Sequence, residues 1–571
     1  MDNKINKSKR NYLLITGILI AISLFSIILL YFLNASLLLN DNKNSIENSR
    51  SNEIVENNLL DSQRSSVNND RSNLVDEKQI PAKYVQHLCG SSFEKISEYI
   101  IEYSIPFPCS QPVGITIDNN DKAWIAATWI GYLIVFDPNN NYFSEFIKIP
   151  SWKTKGMFGS MIWGIEFDKN GDLWFTDQEN NAIWRYFVDD KKFEMYKIPT
   201  RGAYPSSIGF DSEGNVWFSE IFGKKLGSLN PTLTENNTSE GIREYDFGDL
   251  LNHEITTMGP LSINNNNNNN KNNDSNTKTK DIIWFSAVHY PYNGSVINYN
   301  ITSKKFDVFP LPKGAGIPIS IIEDDKQNIW INDHSTSLFF EFNPKNGQIK
   351  KYSTSLPSTR NNTSSLPYYN EYREGKIWFN IHEGNAIGFF DPENNTLIEY
   401  HIPTRSKIWG NTSNPLKFAI DNKGSIYFTE WTENKIGVLN ASNLNKIPFF
   451  MNVSKNTIEL NSKESKGDTI GVYLYNNYNN TNQTNTKELM DGKVKMLVSS
   501  SISKAGILWN ITGSFSKDEF LLSEIKPDIP YIVTLEIKPT ENVVPGNYTL
   551  TISTRYENSV TISKIVDMTI K

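Results

Sequence analysis

The stretch Asp421–Asn440, DNKGSIYFTEWTENKIGVLN, decides the fold. An Asp-x-x-Gly turn leads into an apolar strand closing on Tyr427-Phe428. A polar elbow, Thr429-Glu430-Trp431, precedes a second strand, Lys435-Ile436-Gly437-Val438-Leu439. Alone this is one hairpin; its weight comes from recurrence. An anchor aromatic after an Asp-x-x-Gly-like turn returns at Trp124, Trp174, Trp217, Trp284, Trp330, Trp378 and Tyr427, at intervals of 50, 43, 67, 46, 48 and 49 residues. Units usually end in a strand such as Phe193–Pro199 or Leu397–Pro403. Alternating β-branched and aromatic residues between Gly, Asn and Asp turns predict four short antiparallel strands per repeat. One such sheet cannot bury both faces. Seven stacked radially do so and leave only short edges, which predicts a seven-bladed β-propeller over residues 90–449. The longest interval reflects a polar low-complexity insertion, residues 263–280, expected in a solvated surface loop.

The ring must close. Ile96–Pro106 reads like the terminal strand of a repeat yet precedes the first one, so it is expected to supply the outer strand of the seventh blade; the alternative is Ile447–Met451. Beyond Leu439 the repeat stops. Alternating runs between Thr469 and Ile570, separated by turn clusters, predict an immunoglobulin-like β-sandwich over 450–571, a module expected to act as a spacer or adhesion unit.

Working towards the N-terminus, residues 34–80 are rich in Asn, Ser, Asp and Glu without any period, as in a disordered tether that spans on the order of 40 Å. Tyr12–Leu33 is an uncharged, mostly apolar run preceded by Lys4, Lys7, Lys9 and Arg10. It predicts a transmembrane helix over 12–33 with a cytoplasmic tail, 1–11, and the rest of the chain outside. A cleaved signal peptide is the rival, but the run exceeds a usual h-region and no A-x-A site follows. The fold class is therefore all-β, a propeller followed by a sandwich, with one N-terminal transmembrane helix at the cell membrane. Cys89 and Cys109 allow a disulfide, a metal pair or buried thiols; an outside location favours the disulfide, closing a loop of about 20 residues worth roughly 3 kcal/mol. Asn-x-Ser/Thr sites such as Asn293, Asn300 and Asn547 agree with that side. With a net charge of −7 and no basic cluster beyond the first ten residues, a nucleic-acid partner is excluded.

The recurring wording D-x-x-G-x-(L/V/I)-W-F-(T/S)-(D/E), then N-x-I-G, then E-(Y/F)-x-I-P resembles the virginiamycin B lyase (streptogramin lyase) family of seven-bladed propellers, over about Ser97–Leu439. Phe428-Thr-Glu-Trp431 with Asn434-Lys-Ile-Gly437 lies especially near the family's wording. The resemblance implies a carbon-oxygen lyase that opens a cyclic depsipeptide ester by proton abstraction and elimination, with a magnesium ion and a His-centred site. That His belongs to a Pro-His-(Gly/Ala)-Ile segment opening a blade. The matching segments here begin at Pro112, Ile162, Pro205, Pro260, Pro318, Pro367 and Pro415, and none carries His. General acid–base chemistry needs a group titrating near neutral pH there.

A second constellation is formed by the elbows, which carry Asp177, Glu220, His289, Asp333, His334, His382 and Glu430. On one shared rim, His289, His334 and His382 would form a metal set, while His334, His382 and Glu430 would be candidate catalytic groups. Trp129, Trp163 and Trp431, with Asp177 and Glu220, are candidate ligand-binding residues. The plainer alternative is solvated elbows and aromatic packing. His382-Glu383 and His253-Glu254 lack the second His of a zinc protease, and no P-loop or nucleophile elbow occurs. The expected function is a membrane-anchored, extracytoplasmic binding propeller for a small molecule, glycan or surface protein. The alternative is a carbon-oxygen lyase or lactone hydrolase with a displaced site dependent on a divalent cation, magnesium by the resemblance.

Overall fold

The computed structural model describes residues 89–90, 93–152, 160–250, 255–264, 281–289, 293–312, 315–357, 364–463, 467–477, 492–540 and 543–571. The expected tail, transmembrane helix 12–33 and tether 34–80 lie outside the described residues. Among the described residues no helix is long and apolar enough to cross a membrane.

Strands from Ile100 to Leu439 form seven four-stranded antiparallel units. The first strand of each blade touches the first strand of the next. That of blade seven, Pro415–Ile420, touches that of blade one, Pro112–Ile117, so these strands ring an axis. Closure follows the expected route: Ile100–Ser104 pairs antiparallel with Lys435–Leu439 as the outer strand of blade seven. The alternative segment goes elsewhere, because Phe449–Val453 is a strand of the C-terminal domain. In blade four the first strand, Ile255–Asn264, includes Ile263 and Asn264, so the expected insertion starts two residues too early; residues 265–280 lie outside the described residues.

The repeated wording has a local cause. Asp118, Asp168, Asp211, Asp324 and Asp421 each accept, through Oδ1, the backbone N–H groups two and four residues on. Oδ2 of the first four accepts the indole N–H of the Trp six residues on, at 2.8 to 3.0 Å, and Asp421 accepts the Tyr427 hydroxyl. One carboxylate thus fixes both the turn and the anchor ring, each bond worth about 1.5–3 kcal/mol to a charged acceptor. Blade four has Lys278 at that position, and Trp284 Nε1 is buried without a hydrogen-bond partner.

The Asn of N-x-I-G ties consecutive blades. Asn434 adopts the left-handed backbone that Asn tolerates (φ 57°), accepts Ser110 N–H at 2.7 Å and donates to the carbonyls of Ile105 and Phe107. Asn181 and Asn385 do the same between blades two and three and between six and seven. The Gly faces a Phe: Gly437 lies opposite Phe428, whose ring would stand 2.0 Å from any Cβ.

The C-terminal domain has two sheets. One contains Phe449–Val453, Asp468–Asn476, Tyr531–Pro539 and Ile511–Phe515. The other contains Thr457–Leu460, Val560–Ile570, Gly546–Tyr556, Lys493–Ser500 and Glu519–Leu521. Val472, Leu535, Leu550 and Val566 share one core between them. The second sheet continues into blade six, where Thr396–His401 pairs with Val560–Ile570 along Thr396↔Lys564 to Tyr400↔Val560. The sandwich is therefore joined to the propeller by a sheet rather than by a linker. Arg555 from the sandwich donates to Ser355 Oγ and to the Leu356 carbonyl beside Glu399 of blade six.

Candidate functional site

The elbow residues divide by environment. Asp177 is saturated: it accepts Ser160 Oγ–H, Asn180 N–H, the Asn180 amide and the Trp184 indole N–H. Asp333 likewise accepts the N–H groups of Gly316, Ile317 and Ser335. Both carboxylates are taken up by the protein's own donors, side-chain ones chiefly for Asp177 and backbone N–H groups for Asp333. Glu220 and Glu430 occupy the matching place in blades three and seven, fully buried, with no hydrogen bond of normal geometry at either oxygen. Burial, then the neighbouring Glu244, pushes Glu220 up to about 8; burial and Glu102 raise Glu430 well above the carboxylate range.

Glu430 stands beside a clasp that closes the ring. Lys435 Nζ lies 2.9 Å from Glu102 Oε2, 2.9 Å from Thr404 Oγ1 and 2.7 Å from the Phe93 carbonyl. Thr404 donates its N–H and hydroxyl to Glu102. Glu430 thus stands beside the blade-seven clasp, and among the described residues no hydrogen bond or ion pair links it to His334 or His382.

His334 and His382 do converge. They follow the last residue of equivalent strands, Ile329–Asp333 and Lys376–Ile381, in adjacent blades. His382 Nδ1 is 3.4 Å from His334 Nε2, and the rings stack with centroids 5.1 Å apart. Tyr368 packs edge-on against His334 at 4.6 Å and reaches Trp163 at 6.1 Å. Desolvation takes His382 down to about 4. It takes His334 well below its ordinary value, with the neighbouring His382 adding to the effect. Both imidazoles are therefore neutral at pH 7, and two rings sharing one hydrogen bond cannot both carry a proton there. His289 ends the strand Ile282–His289, one position out of step; its side chain lies outside what is described. Among the described residues no group of three His, Cys, Asp or Glu side chains is placed to hold a metal ion; the expected three-His set includes His289, whose side chain is not among them.

Of the aromatic candidates, Trp129 is buried in packing and Trp431 leans on Trp409 at 5.9 Å. Trp163 lines a cavity. That cavity, of about 230 Å³, lies among the first strands of blades two to seven and is walled by Trp163, Tyr368, Tyr369, Glu166, Glu371 and Lys417, with serines from blades three, four and five. Lys417 reaches across blade one: its Nζ is 3.7 Å from Glu166 Oε1, 3.4 Å from the Trp163 carbonyl and 5.2 Å from the Tyr369 ring centroid. Tyr369 donates its hydroxyl to Glu371 at 3.2 Å. Burial first, then the charge of Glu166, pushes Glu371 up to about 8, and burial raises Glu166. Sequence reasoning missed these residues. Their signal was present: Glu166 and Glu371 directly follow, and Lys417 lies within, the blade-opening segments inspected only for His.

The Cys89–Cys109 disulfide is formed and brackets the closing strand. The profile of the virginiamycin B lyase family matches residues 95–249, from that strand through blade three. The propeller is virginiamycin B lyase-like. Among solved structures, this lyase-like propeller resembles a streptogramin B lyase (22% identity, TM-score 0.47, 60% of this chain and 97% of that one). It also resembles a virginiamycin B lyase from Staphylococcus aureus (20% identity, TM-score 0.46, 59% and 98%). A third likeness, to the extracellular domain of a proposed one-component system from B. thetaiotaomicron, spans 81% of this chain and 57% of that one at 14% identity and TM-score 0.43. A search of curated protein sequences finds no significant match.

Proposed function

We propose that this lyase-like propeller is a binding protein displayed outside the cell membrane, held by helix 12–33 and tether 34–80, and that it takes a small ligand in the cavity on its axis. The observation that carries the reading is the cavity wall: three aromatic rings and three charged groups converge where a propeller axis otherwise collects small side chains. The disulfide supports an oxidising compartment. The sandwich, read as immunoglobulin-like, serves as a rigid extension of blade six. Two neutral imidazoles far from their titration range are poor general bases, which favours binding over elimination.

The test is a thermal-shift panel of small cations, anions and neutral compounds on the full chain and on Leu261→Trp, which fills the cavity. A compound that raises the melting temperature only of the unfilled protein supports the reading; a panel with no such compound contradicts it. A second reading, a carbon-oxygen lyase or lactone hydrolase, is favoured by the family match and by the stacked His334–His382 pair against Tyr368. Its divalent cation, magnesium by resemblance, would need other donors, because no group of three His, Cys, Asp or Glu side chains is placed to hold one among the described residues. Incubating a depsipeptide lactone with wild type and with the His334→Ala/His382→Ala variant decides it. The binding reading expects no turnover by either; turnover lost in the variant would establish the enzyme.

A further inference from the structure

We infer that the axial cavity takes a small organic cation of the ammonium type. The inference rests on reading that cavity as a ligand site. The cavity already shows what such a cation meets, because the Lys417 ammonium occupies one ammonium position in it: a carboxylate at 3.7 Å, a carbonyl at 3.4 Å and an aromatic face at 5.2 Å. Carboxylate, carbonyl and ring face together are the partners an ammonium finds in an aromatic cage. Lys417 satisfies only one side of it. Glu371 accepts the Tyr369 hydroxyl and, among the described residues, makes no close ion pair, so the wall holds a second carboxyl group, protonated at neutral pH, that an entering cation can ionise. Trp163 and Tyr368 supply two more ring faces. An anion entering here meets Glu166, whose side chain is 39% exposed, before it can reach Lys417, which is 9% exposed. A cation meets the Glu166 carboxylate and ring faces, with the less exposed Lys417 ammonium as the like charge on the lining.

The groups facing Glu371 are Glu166 and Lys417 from neighbouring blades and Tyr369 and Arg373 on its own strand. With Glu371 held protonated to about pH 8, an entering cation displaces that proton, and binding releases it.

The experiment is calorimetric titration of the full chain, in a non-ionic detergent, with choline and with 3,3-dimethyl-1-butanol, its uncharged isostere. Expected are saturable choline binding, binding of the isostere weaker by about tenfold or more, and choline affinity that rises from pH 6 to pH 8 with proton release. Glu371→Gln, which matches the protonated side chain in shape, and Glu166→Gln on the more open side should each weaken choline by about tenfold. If the isostere binds as tightly and its binding is lost in Leu261→Trp, the cavity reading stands and the cation inference falls. Choline binding indifferent to both Gln variants places it elsewhere and overturns the inference. Binding of neither probe overturns it too, and the compound panel then decides the cavity reading separately.

Discussion

In blade seven, Lys435 lies 2.9 Å from Glu102, with side chains 1% and 0% exposed; on the axis, Lys417 lies 3.7 Å from Glu166, with side chains 9% and 39% exposed. Both clusters hold two Glu, one Lys and a hydroxyl-bearing residue. In the first, the Lys435 ammonium has three close oxygen partners, and Glu102 takes three donors besides. Nothing is left over for a ligand. In the second, the pair is loose, Glu371 meets Lys417 and Arg373 only at longer range, and a cavity lies alongside. Glu430 beside the Lys435–Glu102 pair is buried without a hydrogen bond of normal geometry at either oxygen, so the two clusters separate by sealing rather than by saturation: the sealed one holds the fold, whereas the one at a cavity is open to a ligand.

Blade three provides the control, since it repeats the clasp position by position. Lys225 contacts Glu244 at 2.9 Å and Thr200 at 2.7 Å, and Thr200 donates its N–H and hydroxyl to Glu244. Here the chain is continuous and the pair is part-exposed, at 25% and 13%. In blade seven the same residues join segments more than three hundred residues apart. Lys435→Met, which strands a buried carboxylate at the seam, should cost about 3–5 kcal/mol in urea unfolding. Removing the disulfide by Cys89→Ser/Cys109→Ser should cost roughly 3 kcal/mol, measured the same way. A loss in the disulfide variant larger than that in Lys435→Met would make the covalent link, not the clasp, the main lock.

Acid–base behaviour sharpens the comparison further. Glu220 is protonated in the folded state up to about pH 8 and ionised in the unfolded chain above about 4.5, so its contribution to stability falls as pH rises between those values. The neutral histidines act oppositely only below about pH 6.5, while the raised Glu371 and Glu430 slope the same way as Glu220, so the Glu220 share is read as the difference between wild type and variant between pH 6.5 and 8. Glu220→Gln should flatten the decline of melting temperature across that window and gain about 2 kcal/mol at pH 8. The smallest effect is expected for Lys225→Met, about 1 kcal/mol by urea unfolding, because a part-exposed pair in a continuous blade contributes little.

The repeat, the closing strand and the disulfide were legible because each has a local sequence cause: an Asp that caps its own turn and ring, an Asn that ties the next linker, a strand-like segment out of place. The sandwich strands were legible by alternation. Their fusion to blade six was not, since nothing in the run Val560–Ile570 names Thr396–His401 as its partner. The site was half legible. His334 and His382 meet because equivalent elbows of adjacent blades must. Glu430 looked similar in sequence yet stands beside the clasp, one residue earlier on the elbow than His334 and His382. Glu166, Glu371 and Lys417 come together only across the ring, a closeness that no spacing along the chain encodes.

The most direct test compares the unfolding free energies of Lys417→Met and Lys435→Met in the full chain. The account predicts a loss of about 1 kcal/mol or less for Lys417→Met against about 3–5 kcal/mol for Lys435→Met. Equal losses would contradict it, placing the axial lysine among the residues that hold the fold rather than those that meet a ligand.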